Sequence, residues 1–183
     1  LQIYNEKLRD LIDASHPCFG SPNAALKSDY IRIELLWRYG GIWLDSSVLL
    51  LMGFHEWEML DKSDDLKCFS AFYNDRNMSR NCAFPVVETS CMVAPPGHEL
   101  IGAWRERLQR ITDGCARPEF EKYFDENNSG ALQRKNLYQY YHIVYHMLQH
   151  ALNYYGGVER FNGVHLYKGT HADFQYLSAR ADE

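Results

Sequence analysis

No stretch of this sequence stays apolar for long. The longest uninterrupted run, Val48–Met52, falls far short of the roughly 18 residues that a membrane span needs, and suits a buried strand instead. Basic residues are scarce too: 19 Lys and Arg stand against 24 Asp and Glu, a net charge of −5 with both signs spread throughout. Without a basic arm or stripe there is no footprint for nucleic acid, although a few local cations suffice for a phosphate-bearing small ligand. The five cysteines, Cys18, Cys68, Cys82, Cys91 and Cys115, are odd in number and widely spaced. With neither a CxxC pair nor a Cys/His zinc spacing, they predict free, mostly buried thiols in a reducing compartment. A Gly-rich P-loop and a G-x-S-x-G elbow are both missing, and nothing supports a cysteine nucleophile. No signal peptide is visible. The chain opens at Leu1 directly into a helical pattern, so a fragment lacking its natural start is expected.

What is present fits one α/β domain over residues 1–183. The chain is 46% hydrophobic and 14% aromatic, enough for a substantial core but not for two domains. Apolar spacing predicts a helix over 1–14, and another from an N-cap at Ser28 to Tyr39, stopped by Gly40-Gly41. Ile42–Leu51 reads as a strand, becoming fully apolar as at the centre of a sheet covered on both faces. "HEWEML" suggests a short helix or turn. Asp65–Tyr73 and Val86–Ala94 read as strands, and Glu99–Ile111 as a helix. A short helical turn is expected at Glu119–Phe124, a helix from Leu137 ending at Gly156-Gly157, and a strand at Val164–Tyr167. Alternating strands and helices without linkers or repeats favour an α/β class.

The chemistry gathers in "SDYIRIELLWRYGGIWLDSSVLLL", Ser28–Leu51. Asp29 and Arg32, three apart, share a helix face. In the expected first turn they would join free backbone N–H groups and the positive dipole end, which favour anions. Strand alternation sends Trp43, Asp45 and Ser47 one way and Ile42, Leu44 and Ser46 the other. Helix capping and pairing explain each residue singly. Asp45 is harder to dismiss, because burying a carboxylate without a partner costs several kcal/mol.

This segment resembles the sugar-nucleotide-binding segment of GT-A glycosyltransferases. It is most similar to the capsular polysaccharide synthesis and "DXD sugar-binding region" groups, and more distantly to the catalytic domain of large glucosylating toxins. The shared pattern is Ser/Ala-Asp, two residues, Arg, a leucine-rich turn, Tyr-Gly-Gly, an aromatic and Asp-x-Asp. Weaker similarity continues in "VVETSCMVAPPGHELIGAW" and in the Tyr/His-rich helix. The resemblance implies a GT-A-type fold with a mainly parallel central sheet and helices on both faces, its N-terminal part missing. It implies transfer of a sugar from a nucleotide diphosphate donor to a hydroxyl of a growing glycan or other acceptor. The implied setting is the cytoplasm, a membrane surface, or the Golgi lumen of a eukaryote. By the same resemblance Asp29 and Arg32 contact the donor sugar and phosphate, Trp43 lies beside the diphosphate, and Asp45 holds the ribose, sugar or metal. Ser47 stands where many members have a second acid. A hydroxyl is a poor ligand for Mg²⁺ or Mn²⁺, so a divalent cation would bind through Asp45, the diphosphate and water, or not at all.

Glu88, in "VVETS", stands where a carboxylate can act as general base of an inverting transfer; a solvent-facing strand-end Glu is the plainer alternative. His142, His146 and His150 share a helix face at metal-binding spacing, but their apolar neighbours mark a core face. Tyr138, Tyr140, Tyr141 and Tyr145 suit either a sugar cleft or core packing. Against the transferase stands a binding-only relic of the same fold, with Ser47 marking lost metal chemistry.

Overall fold

The computed structural model describes residues 24–50, 53–54, 67–74, 79, 81–112 and 143–169. In chain order these form α1 (Ala24–Tyr39), β1 (Gly41–Leu44), β2 (Phe69–Tyr73), β3 (Val87–Ala94), α2 (Glu99–Thr112), α3 (Ile143–Tyr155), a 3₁₀ turn (Val158–Arg160) and β4 (Val164–Lys168). The helices expected at 1–14, at "HEWEML" and at Glu119–Phe124 lie outside the described residues, as do His142, Tyr138, Tyr140 and Tyr141.

The described strands form one sheet in the order β1-β3-β2-β4. β1 and β2 both run antiparallel to β3, and only β2 and β4 are parallel. The expected mainly parallel sheet is therefore corrected to a mixed one among the described residues. The reason is the route of the chain: residues 74–86 link β2 to β3 with no described helix between, and such a return leaves neighbours antiparallel. The bridge from β3 to β4 does carry helices, α2 and α3, but β4 joins on the far side of β2.

Register places Trp43 beside Met92, Met92 beside Ala71, and Ala71 beside Leu166. These side chains share one face and pack into the core with Ile33 and Leu36 of α1, Leu100, Ile101, Trp104 and Leu108 of α2, and Val144, Met147, Leu148 and Leu152 of α3. Burying each large side chain of this kind contributes about 1.5–3 kcal/mol. Trp104, fully buried, also donates its indole N–H to the Val144 carbonyl at 2.8 Å, fastening α2 to α3. The three described helices pack against this face of the sheet.

Two local expectations give way. Ser28 is not an N-cap: α1 begins at Ala24, so Asp29 and Arg32 lie beyond its first turn. The strand expected to Leu51 ends at Leu44, on the edge of the described sheet, with Ile42, Leu49 and Leu50 exposed. Apolar character alone could not separate a central strand from this edge strand and its exposed continuation.

The α1–β1 junction is tight. Gly40 donates its N–H to the Leu36 carbonyl at 2.9 Å and has φ 62°. A Cβ there would meet Pro96 N at 2.6 Å and the Ala94 carbonyl at 2.8 Å. Only glycine fits. Just past the same end of β3, His98 caps α2: its Nδ1 accepts from the Leu100 N–H at 3.2 Å, so Nε2–H donates to the Gly163 carbonyl at 3.1 Å. Burial pushes the pKa of this ring down, in keeping with a neutral imidazole.

Candidate functional site

Reversal at Gly40 brings the start of β1 back beneath α1. Arg32, only 6% exposed, reaches across to β3, where its Nη1 donates to the Thr89 hydroxyl at 2.7 Å and the Thr89 carbonyl at 2.9 Å. The same guanidinium lies 3.3 Å from one Asp45 oxygen and 3.4 Å from the other. Its Nη2 lies 3.3 Å from the Asp29 carboxylate and donates to the Ser28 hydroxyl at 3.2 Å. Trp43 completes the group, its indole N–H donating to Asp45 at 2.7 Å while the Arg32 guanidinium stands 5.3 Å from the ring centroid. Asp29, Arg32, Trp43 and Asp45, read from the sequence as one constellation, are brought together.

The backbone holds Asp45 equally firmly. Its N–H donates to the Ser90 carbonyl at 2.8 Å, and its own carbonyl accepts from Val48 at 2.9 Å across a turn at Ser46–Ser47. The Asp45 side chain remains 28% exposed, so the cluster is open at this carboxylate. Ser47 does not align with it: alternation stops at Leu44, and the turn leaves Ser47 exposed.

β3 carries an irregularity at this site. Ala71 pairs with Met92 and Tyr73 with Val87, so two steps along β2 match five along β3. The surplus residues fall around Glu88–Cys91. Bulges of this kind re-aim side chains beside functional sites. Here Thr89 turns to Arg32, and Glu88, half-buried, accepts from the Asn74 amide at 3.3 Å.

Charge and burial set the acidities. Burial raises the Asp29 carboxyl to about 7; Arg32 offsets part of this and the Asp45 charge adds to it. Burial also raises Glu88, against the Asn74 bond, bringing it closer to a neutral-pH base. The Cys91 thiol is pushed up to about 11 by burial and by Asp45. It is no nucleophile at neutral pH.

Sequence reasoning missed Thr89, and it read Ser28 as a cap rather than a ligand of Arg32. Neither carries a signal of its own, because a bulge and a cross-sheet contact leave no periodicity behind. His146 is buried on the core side of α3, where apolar spacing had put it. Among the described residues no group of three or more His, Cys, Asp and Glu could hold a metal ion.

Residues 19–153, spanning the cluster and most of α3, match the family model for capsular polysaccharide synthesis protein. The chain belongs to that family. No curated protein and no solved structure matches it. Membership in the capsular polysaccharide synthesis family supports a role in polysaccharide biosynthesis with sugar-related substrates. Among the described residues no helix is long and apolar enough to cross a membrane.

Proposed function

We propose that this chain is a GT-A-type glycosyltransferase, moving a sugar from a nucleotide diphosphate donor to an acceptor hydroxyl during polysaccharide synthesis. The observation that carries the reading is the convergence of Asp29 and Arg32 from a helix with Trp43 of the following strand and Asp45 just beyond its end. In this reading the exposed side of Asp45 accepts hydrogen bonds from a ribose or sugar hydroxyl. Trp43 offers a flat face beside the diphosphate. Arg32 acts chiefly by fixing Asp45. Its two Nη groups are already engaged, and only its buried Nε–H has no acceptor.

The step forms a bond between the acceptor oxygen and the sugar anomeric carbon. The bond from that carbon to the diphosphate oxygen breaks, and its electron pair leaves with the diphosphate. The acceptor proton passes to the Glu88 carboxylate in an inverting transfer. Holding the reactants in line and stabilising the departing charge would supply most of the acceleration. The proposed setting is the cytoplasm or a membrane surface, or the Golgi lumen of a eukaryote.

A divalent cation, Mn²⁺ or Mg²⁺, fits this donor set poorly. Asp45 is already shared between Arg32 and Trp43, and Ser47 is neutral and turned outward. The protein would supply one carboxylate, whereas hard cations favour several charged oxygens. The same feature favours the second reading, a binding-only relic that holds nucleotide sugar without transfer.

Incubating the chain with UDP-glucose, UDP-galactose and GDP-mannose, with and without Mn²⁺, separates the two. Release of nucleoside diphosphate that disappears in Asp45→Ala supports the transferase. Saturable binding with no release under any condition supports the relic. No binding at all removes both.

A further inference from the structure

We propose that Thr89 is a positioning residue of the donor site, fixing the Arg32 guanidinium and through it the Asp45 carboxylate. This rests on the proposed donor site and extends it to a residue that nothing in the sequence pattern marks.

Distances carry the argument. The shortest contacts on the guanidinium are the two from Thr89, at 2.7 and 2.9 Å, whereas both flanking carboxylates stand at 3.3 Å or beyond. Two acids pulling in different directions from that range hold the guanidinium less tightly than these two shorter bonds do. Two acceptors on one residue, meeting the same Nη1, leave it little freedom. Thr89 is 4% exposed, so water does not compete for either bond. The β3 bulge explains how one residue can offer both atoms: the surplus residues lie outside the β2 pairings, which leaves the Thr89 carbonyl free to face α1. Arg32 then hands the orientation on to Asp45, whose second constraint is the Trp43 indole.

A residue that only fills space and one that aims a cation respond oppositely to two substitutions. Val keeps the shape of Thr and loses the hydroxyl; Ser keeps the hydroxyl and leaves a methyl-sized gap. Packing alone would make Thr89→Val benign and Thr89→Ser the worse change. Positioning reverses that order.

The experiment measures kcat, KM and Tm for both variants of the full chain with UDP-glucose, UDP-galactose and GDP-mannose. Losing a hydrogen bond to a charged group should lower kcat/KM in Thr89→Val roughly ten- to a hundredfold and lower Tm by several degrees, with kinetics read at a temperature where the variant is folded. Thr89→Ser should recover most of that loss. Wild-type kinetics in Thr89→Val, or a Ser variant worse than the Val variant, would overturn the proposal.

A second readout needs no donor. In ¹⁵N NMR of the arginine guanidinium groups, with the Arg32 signal assigned by Arg32→Lys, its Nη hydrogens should be protected in the wild type and exchange faster in Thr89→Val. Unaltered protection sinks the role of Thr89. If the wild type turns over none of the three nucleotide sugars, the transferase reading fails and the kinetic role with it, while the NMR comparison still decides whether Thr89 holds Arg32.

Discussion

Two arginine–carboxylate clusters hang from opposing sides of α1, and they are built on reversed arithmetic. In one, a single cation, Arg32, lies between two acids, Asp29 and Asp45. In the other, a single acid, Glu34, lies between two cations, Arg38 and Arg105. Glu34 is 1% exposed and ties α1 to α2, with Arg105 also stacked 4.3 Å from the Trp37 ring. Burial would raise its pKa, but the bonds from Arg105 and Arg38 outweigh burial and hold the carboxyl below its ordinary value. Asp29 is also buried, yet its one cation is shared, and it rises to about 7. A fully compensated buried charge fastens helices together. An under-compensated one with an open carboxylate at its rim marks a candidate binding site.

The contrast can be broken most forcefully at Arg32. Arg32→Ala leaves two acids facing each other without a cation, and should destabilise by about 3–5 kcal/mol. Nucleotide-sugar binding and turnover should vanish in whatever folds, as read by urea denaturation and calorimetry. Retained binding would mean that the cluster is no site at all.

Glu34→Gln should also destabilise, by about 2 kcal/mol. The cost is smaller than for a sealed pair because both arginines can reach water once released. Here the comparison predicts unchanged nucleotide-sugar affinity at a temperature where the variant is folded. A matched loss of affinity would erase the distinction between the clusters.

Asp29→Asn sharpens the comparison through pH. The folded chain keeps the Asp29 proton up to about pH 7, while the ordinary carboxyl value is 3.8. Between those values the folded state binds more protons, so stability falls as pH rises and the deficit is complete above 7. Asn cannot ionise. The variant should therefore be more stable than the wild type at pH 8, by on the order of 1–2 kcal/mol, with the gap closing toward pH 4. Urea midpoints at pH 5 and pH 8 measure this. An identical decline in the variant would clear Asp29 of responsibility.

The smallest effect belongs to Trp43→Phe, which keeps a ring under Arg32 and deletes the N–H bonded to Asp45. Stability should change by about 1 kcal/mol or less, while kcat/KM falls severalfold. Loss of stability without loss of rate would move Trp43 to the structural side of the comparison.

How much of this was legible beforehand depended on how local each cause is. α2 and β3 follow from patterns confined to their own residues, and both emerged within a residue or two of expectation. Gly40-Gly41 announced the end of α1 for the same reason. Ser28 misled because a good capping residue is only a permission to start a helix, and Ala24 onward continued it upstream. Ser47 misled because alternation was extended past the point where β1 ends in a turn.

The sequence by itself determined the spacings that make a site possible: Asp29 and Arg32 one turn apart, Trp43 and Asp45 two residues apart in an extended segment, and a glycine pair to stop the helix between them. Those depend on bond geometry over a few residues, which any fold must respect. Only the tertiary structure decided that β3 bulges at Glu88–Cys91, that Thr89 faces Arg32, and that the sheet is mixed. These outcomes belong to the pairing of distant segments, where the competition between burying apolar surface and satisfying polar groups is settled globally and leaves no local trace.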